Sequence, residues 1–342
     1  MERKNDGKLR RNRGYKAFLL MVAGGLFLLF FMVLSIMVGA AKIPLSTVGD
    51  AFLHFDGENM KHLMVIDLRL PRVISAAVTG AALAAAGAVM QGMTRNPLAD
   101  SGLMGLNSGA ALAMAICLAY VNKAAYSQII LSAFIGAGAG ALAVYGISSL
   151  VPGGNKPMKL VLSGAAVSTF LVAVSQAIAI GNKMTQNLNF WTMGSVTGNS
   201  WNQLKVAVPV MGSGILIAIL LSRRISILNM GEEVALGLGV RIAFVKTAGT
   251  LVVVLLAGTS VALAGSITFV GMLIPHFARY LVGPDYRLII PLSTILGALL
   301  LVVADIGAKT LSAPGELPIG ALISLLGVPV FLYFARRQKG EL

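Results

Sequence analysis

The side chains in this chain that could do chemistry are few, and most stand apart. The histidines His54, His62 and His276 have no second histidine one helical turn away, and the single cysteine, Cys117, lies in an apolar run. Neither an imidazole nor a thiolate metal site is therefore predicted, and Cys117 reads as a small buried apolar residue. Asp67 and Asp305 stand near the outer ends of apolar stretches, and no series of Asp, Glu and His runs through those stretches as a proton relay requires. A phosphate-cradling GxxxxGK[ST] loop is also absent, since Gly7-Lys8 is followed by Leu9. The chain is not expected to be an enzyme, has no catalytic residue to assign, and binds no cofactor of its own.

One polar stretch is different. Residues 222–246 interrupt a nearly unbroken series of apolar runs with charge and helix formers, and are too polar to cross a bilayer. Within them, Gly231-Glu232-Glu233 through Leu236-Gly237-Leu238-Gly239-Val240 reads as a short helix with two acids in its first turn and glycine past its end, the punctuation expected of helix termini. On composition alone the segment is either an ordinary solvated loop or a docking surface for a soluble partner.

The elements that position this segment are membrane spans. The chain has 342 residues, of which 57% are hydrophobic and 12% charged, and apolar runs near the span length recur from end to end. That excludes a soluble globular domain and predicts an all-α polytopic membrane protein. Ten spans are predicted, at about 17–40, 72–92, 102–121, 127–150, 159–181, 204–221, 243–264, 268–282, 288–308 and 318–335, packed as a compact bundle. The first follows a basic head, 1–16, and is longer than the roughly 7–15 apolar residues of a cleaved signal, so it reads as a retained signal-anchor. An even number places both termini on one side, and assigning that side to the cytoplasm puts 19 of the 27 Lys and Arg inside. The net charge of +14 is then explained by membrane orientation, with no nucleic acid required. The segment 222–241 falls inside, as does a short tail, 336–342.

Small residues such as Gly80-Ala81-Ala82-Leu83 and Gly136-Ala137-Gly138 allow helices to approach closely. Other features interrupt the pattern. Asn96-Pro97-Leu98-Ala99-Asp100 breaks the chain at the inner face, and Pro275-His276 places a kink and a polar group at membrane depth. Outside, Trp191 and Trp201 are either interfacial anchors or part of a loop in which Phe190 to Gly194 forms a short helix across an outer mouth.

Four blocks then resemble one family, the membrane permeases of ABC importers for ferric siderophores, haem and cobalamin, which are type II importers with ten spans per subunit. They are Arg69-Leu70-Pro71-Arg72 leading into Gly80-Ala81-Ala82-Leu83, and Gln91 through Arg95-Asn96-Pro97-Leu98-Ala99-Asp100 to Gly105. The third is Leu228 through Gly231-Glu232-Glu233 to Val240, and the fourth is Gly265 through Pro275-His276, followed by Ala304-Asp305 and Glu316-Leu317-Pro318. The resemblance spans about Ser35 to Arg337.

It implies that Gly231, Glu232, Glu233, Leu236, Gly237 and Gly239 belong to a coupling helix seated in a cytoplasmic ATPase. It implies that Arg69, Arg72 and Lys309 meet acidic residues of a substrate-binding protein, and that Asn96, Pro97 and Leu98 border an inner gate. Arg69 has the alternative of snorkelling or pairing locally with Asp67, and the glycine- and proline-rich loop 152–157 departs from the family's second gate loop. The implied partners are a second permease, identical or paralogous, two ATPase subunits carrying ATP and Mg, an extracytoplasmic binding protein, and the cytoplasmic membrane of a prokaryote. The cargo pathway would run between two permease subunits. The alternatives are an ion-coupled secondary transporter, which needs intramembrane carboxylates or a sodium site, and a passive channel, which needs no coupling helix.

Overall fold

The protein's structure is a computed structural model that describes residues 2–39, 41–121, 124–150, 157–312 and 315–338. Its centre is one helix of small residues. Helix α4, Leu70–Thr94, carries glycine or alanine at most positions of its middle third, and nearly every residue from Val73 to Met93 is buried. A helix this slim can be surrounded on all sides at close range, and van der Waals contact between backbones then replaces the missing hydrophobic force.

Around it the helices follow in chain order: α1 Glu2–Met37, α2 Leu45–Leu53, α3 Met60–Leu63, then α4; α5 Leu106–Tyr120, α6 Tyr126–Leu150, α7 Pro157–Gly181, α8 Thr185–Thr192, α9 Trp201–Asn229, α10 Glu232–Gly237, α11 Ile242–Ala264, α12 Val270–Val282, α13 Tyr286–Thr310 and α14 Ile319–Gln338. Among the described residues all regular structure is helical. α4 packs against α13, α11, α9 and α12, while α5, α6 and α7 form a second group joined to it through α11. Seven helices among the described residues are long and apolar enough to cross a membrane, and shorter apolar helices occupy 106–120, 270–282 and 319–332.

Two glycine contacts define how close the central helices come. A Cβ at Gly87 would fall inside the van der Waals envelope of the Gly271 backbone in α12, and one at Gly80 would do the same to the Gly297 carbonyl in α13. In each case the obstacle is backbone, which cannot rotate away. Gly87→Val is therefore expected to lower the thermal midpoint of the detergent-solubilised protein, by overpacking worth about 1–3 kcal/mol or more. Gly138→Ala, with nothing within 4 Å of the added methyl, should leave it unchanged. Equal midpoints for the two variants would remove Gly87 as a packing constraint.

Several boundaries differ from the sequence-based expectation. The predicted span 102–121 starts as a 3-10 turn, Ser101–Met104, and becomes α-helical only after Gly105 in left-handed conformation. The 72–92 span is extended upstream by α3 and a π-helical turn, Met64–Arg69, so that helix is continuous from Met60. The basic head is helical and continuous with the first span from Glu2. α2 was not marked by the sequence; its Val48 and Ala51 pack against Ile36, Val65 and Val73, while Phe52 and Leu53 stay exposed. The short outer helix is Thr185–Thr192 rather than Phe190 to Gly194, because Gly194 takes a left-handed φ of 75° and ends it. Residues 152–156 of the loop 152–157 lie outside the described residues, as does the end of the 336–342 tail.

Candidate functional site

The residues singled out by sequence gather at opposite ends of the bundle. At one end α9 projects beyond the apolar zone and turns into α10. Gly231 breaks the chain with φ 132°, and Ala235 N–H closes the first turn on the Gly231 carbonyl at 3.0 Å. Six residues later the helix is stopped by a paired hydrogen bond: Val240 N–H donates to Ala235 O and Gly239 N–H to Leu236 O, each at 2.9 Å. This six-to-one and five-to-two pattern, with Gly239 at φ 74°, is a Schellman stop. Gly239 therefore fills the predicted turn role, whereas Gly237 does not: it is the last helical residue, without a positive φ.

α10 is fixed on one face and open on the other. Ala235 is fully buried against the bundle, while Val234, Leu236 and Leu238 expose 43%, 63% and 62% of their surface. A capped helix in a polar loop thus holds three apolar side chains outward.

Glu232 ties this helix to its surroundings. Its carboxylate accepts from Lys246 Nζ at 2.8 Å and lies 3.8 Å from Arg95 Nη2. The hydrogen bond and charge of Lys246, with a smaller effect from Arg95, hold the Glu232 carboxyl below its usual range. Arg95 caps the end of α4 in left-handed conformation, φ 53°, immediately before the predicted gate. There the Asn96 side chain accepts from Leu98 N–H at 3.0 Å, and Ala99 N–H donates to Asn96 O, so Asn96, Pro97 and Leu98 form a half-buried tight turn. Glu232 thus bridges the two regions that sequence had placed separately. Glu233 is exposed.

Behind α10 the base of α9 is locked. Ser226 Oγ donates to Asp285 at 3.0 Å and accepts from Tyr286 N–H at 2.8 Å, and the fully buried Tyr286 takes a hydrogen bond from Arg279.

At the other end, Arg69, Arg72 and Lys309 line one cavity of about 530 Å³ together with Asp67 and Glu316. Sequence brought the three cations to one place; it did not show that two are already used. Arg72 Nε bonds Asp305 Oδ1 at 2.8 Å and Nη1 bonds Glu316 Oε1 at 2.7 Å, while Lys309 Nζ reaches Asp305 Oδ2 at 2.5 Å and Ser35 Oγ at 2.8 Å. Asp305 is fully buried and Lys309 only 7% exposed. Arg69 does not pair with Asp67; it donates to the carbonyls of Ile36 and Ala41, holding the turn after α1. Thr197 Oγ1 donates to the second oxygen of Glu316 at 2.7 Å. Burial pushes the Glu316 carboxyl up, but the hydrogen bonds from Arg72 and Thr197 and the nearby cations outweigh it and hold the carboxyl low. Trp201 is more than an interfacial anchor: its Nε1–H donates to Ile66 O at 3.0 Å, within the π-helical turn.

No group of three or more His, Cys, Asp or Glu among the described residues could hold a metal. His54 and His62 do approach Asp50, at 3.2 and 3.4 Å, but His62 Nδ1 accepts from Asp56 N–H, so that imidazole is already committed.

Comparison with known proteins places this geometry. A model of the FecCD transport family matches residues 27–337. The chain is 45% identical to the iron(3+)-hydroxamate import system permease protein FhuB of Bacillus subtilis (strain 168), over 96% of this chain and 85% of that protein. It is 36% identical to the hemin transport system permease protein HmuU of Yersinia pestis, over 81% of this chain and 84% of that one. A solved metal-chelate type ABC transporter in an inward-facing conformation superposes with a TM-score of 0.81 at 26% identity, covering 93% of this chain and 98% of the other.

Proposed function

This chain belongs to the FecCD transport family, and from that premise we propose that it is the membrane permease of an ABC importer that carries an iron(III) chelate inward. The observation that carries the reading is the 45% identity to an iron(3+)-hydroxamate permease along almost the entire chain, which makes ferric hydroxamates the first cargo to test.

Such a permease performs no bond-making step, so its work is mechanical. The ten-span topology rests on seven long apolar helices plus three shorter ones at the positions the hydropathy had marked. With both termini in the cytoplasm, α10 faces the ATPase, and Val234, Leu236 and Leu238 supply its apolar contact while Glu233 offers a charge. ATP binding and hydrolysis with Mg on the two partner subunits would move α10 as a rigid body, because both its ends are fixed by backbone hydrogen bonds. The Glu232 to Arg95 link gives that motion a route to Asn96, Pro97 and Leu98. A second permease subunit completes the pathway in the cytoplasmic membrane.

On the opposite face a substrate-binding protein docks by exchange. Arg72 and Lys309 there are neutralised by Asp305 and Glu316, and an incoming carboxylate would gain Arg72 only by displacing Glu316, which is the more exposed of the two. Glu316→Gln is expected to strengthen docking of the binding protein about two- to fivefold, since a neutral amide competes less well for the guanidinium. Titration of labelled binding protein against the reconstituted permease measures this, and weaker docking by the variant would refute exchange. The low carboxyls of Glu232 and Glu316 contribute above the ordinary carboxylate range and fade only as pH falls below it. Neither pair should therefore alter transport between about pH 6 and 8.

The deciding experiment is uptake of iron-labelled hydroxamate, catecholate and citrate chelates, and of haem, by cells with and without the gene, with an energy-depleted control. Loss of one cargo on deletion, dependent on ATP, establishes the function. Uptake that persists without ATP but collapses with the proton gradient would establish the ion-coupled alternative instead.

A further inference from the structure

A separate cavity of about 610 Å³ lies beside the coupling segment, walled by Arg223, Arg224 and Ile227 of α9, by Leu238 to Arg241, and by Phe244 and Val245 of α11. Its three guanidinium groups have no carboxylate partner among the described ion pairs, in contrast to Arg72, Arg95 and Lys309. Arg224 instead lies over the Phe244 ring, 5.2 Å from its centroid. We propose that this cavity binds the phosphate headgroup of an anionic phospholipid in the cytoplasmic leaflet.

Three observations select that occupant. The first is depth: Arg223 and Arg224 directly follow the apolar part of α9, and Arg241 directly precedes α11, so all three stand where a bilayer's headgroups begin. The second is chemistry. Arginines without a carboxylate partner favour a phosphate, which accepts the bidentate guanidinium fork. The third is that the lining is partly apolar: Ile227 and the exposed Phe244 offer acyl chains a wall that a free anion would not need. An amphiphile with negative charge satisfies all three, and the negative potential of the inner leaflet concentrates it there.

The site matters because of what it adjoins. Leu238, Gly239 and Val240 form both its rim and the Schellman stop of α10. A bound lipid braces the end of the lever against the membrane plane.

The test uses the full-length chain purified in detergent, with phosphatidylglycerol and phosphatidylcholine as probes and native mass spectrometry as readout. The wild-type chain should retain phosphatidylglycerol preferentially. Each single Arg→Gln change at 223, 224 or 241 should lower its apparent affinity about fivefold, and the triple variant should show no preference. Arg241→Lys, which keeps the charge, should recover most of it, separating headgroup binding from misfolding. Lys205→Gln, at the far end of α9, should have no effect. Equal retention of the two lipids by the wild type, or an unchanged preference in the triple variant, refutes the proposal. So does full competition by millimolar inorganic phosphate, which would indicate a free-anion site. Loss of the ATPase subunit from the triple variant with lipid preference intact would make the cavity a protein contact and overturn the proposal equally. None of these readouts depends on transport, so failure here leaves the importer reading untouched.

Discussion

Ala235→Pro is expected to leave the permease inserted in the membrane at normal levels and to reduce ATP-driven chelate uptake to background. The reason lies in the economy of α10. This helix has only six residues, and its first turn is closed by the hydrogen bond from Ala235 N–H to Gly231 O. Proline at 235 removes that donor and drives its ring against the Gly231 carbonyl, at a local cost of about 3 kcal/mol. A long helix would bend and survive; a helix of this length has too few other hydrogen bonds to hold its shape. Because the segment lies outside the apolar zone, insertion should not suffer. Glu233→Lys, which keeps the helix but reverses an exposed charge, should weaken ATPase association without unfolding α10. Normal uptake by the Ala235→Pro protein would show that α10 is not the coupling element, whereas normal ATPase co-purification with failed uptake would place the defect in transmission.

Asp305→Ala should act oppositely, on the folded bundle before any transport is measured. Asp305 is fully buried and, among the described residues, is the one carboxylate paired with both Arg72 and Lys309. Removing it takes from Lys309 its carboxylate partner and leaves Arg72 with Glu316 alone, and breaking a buried ion pair in this way costs about 3–5 kcal/mol. The variant should be recovered in much smaller amounts and aggregate at a clearly lower temperature in detergent. Asp305→Asn should be nearly as damaging, since an amide keeps the shape but not the charge. Replacing the set together, with Asp305→Leu, Arg72→Met and Lys309→Met, should recover much of the lost stability, because the buried charges disappear as a group. A triple variant as unstable as Asp305→Ala would show that the network stabilises by more than mutual neutralisation.

These two sites differ in how far sequence could reveal them. α10 was legible because its determinants are local: glycines, acids and apolar residues within ten positions. The seven long apolar helices were legible for the same reason. The Asp305 network joins residues separated by 233 and 270 positions, and no local pattern carries that information. The contacts of Arg69 are hidden for the same cause, since its acceptors are the carbonyls of Ile36 in α1 and Ala41 in the turn after it, while the local pair with Asp67 left open as an alternative does not form. The register of α8 escaped because helix ends in short polar loops turn on one left-handed residue, here Gly194. Gly237 and Gly239 look alike in sequence, and only the hydrogen-bond pattern shows which one makes the stop.

The π-helical turn at Met64–Arg69 has an optical consequence. By directing Ile66 O toward the Trp201 indole, it fixes one of the chain's two tryptophans four residues from Thr197, which holds Glu316. If docking frees Glu316, the indole's hydrogen bond and polarity change with it. The emission maximum of Trp201, isolated in a Trp191→Phe background, then becomes a built-in fluorophore for events at that face, requiring no attached dye.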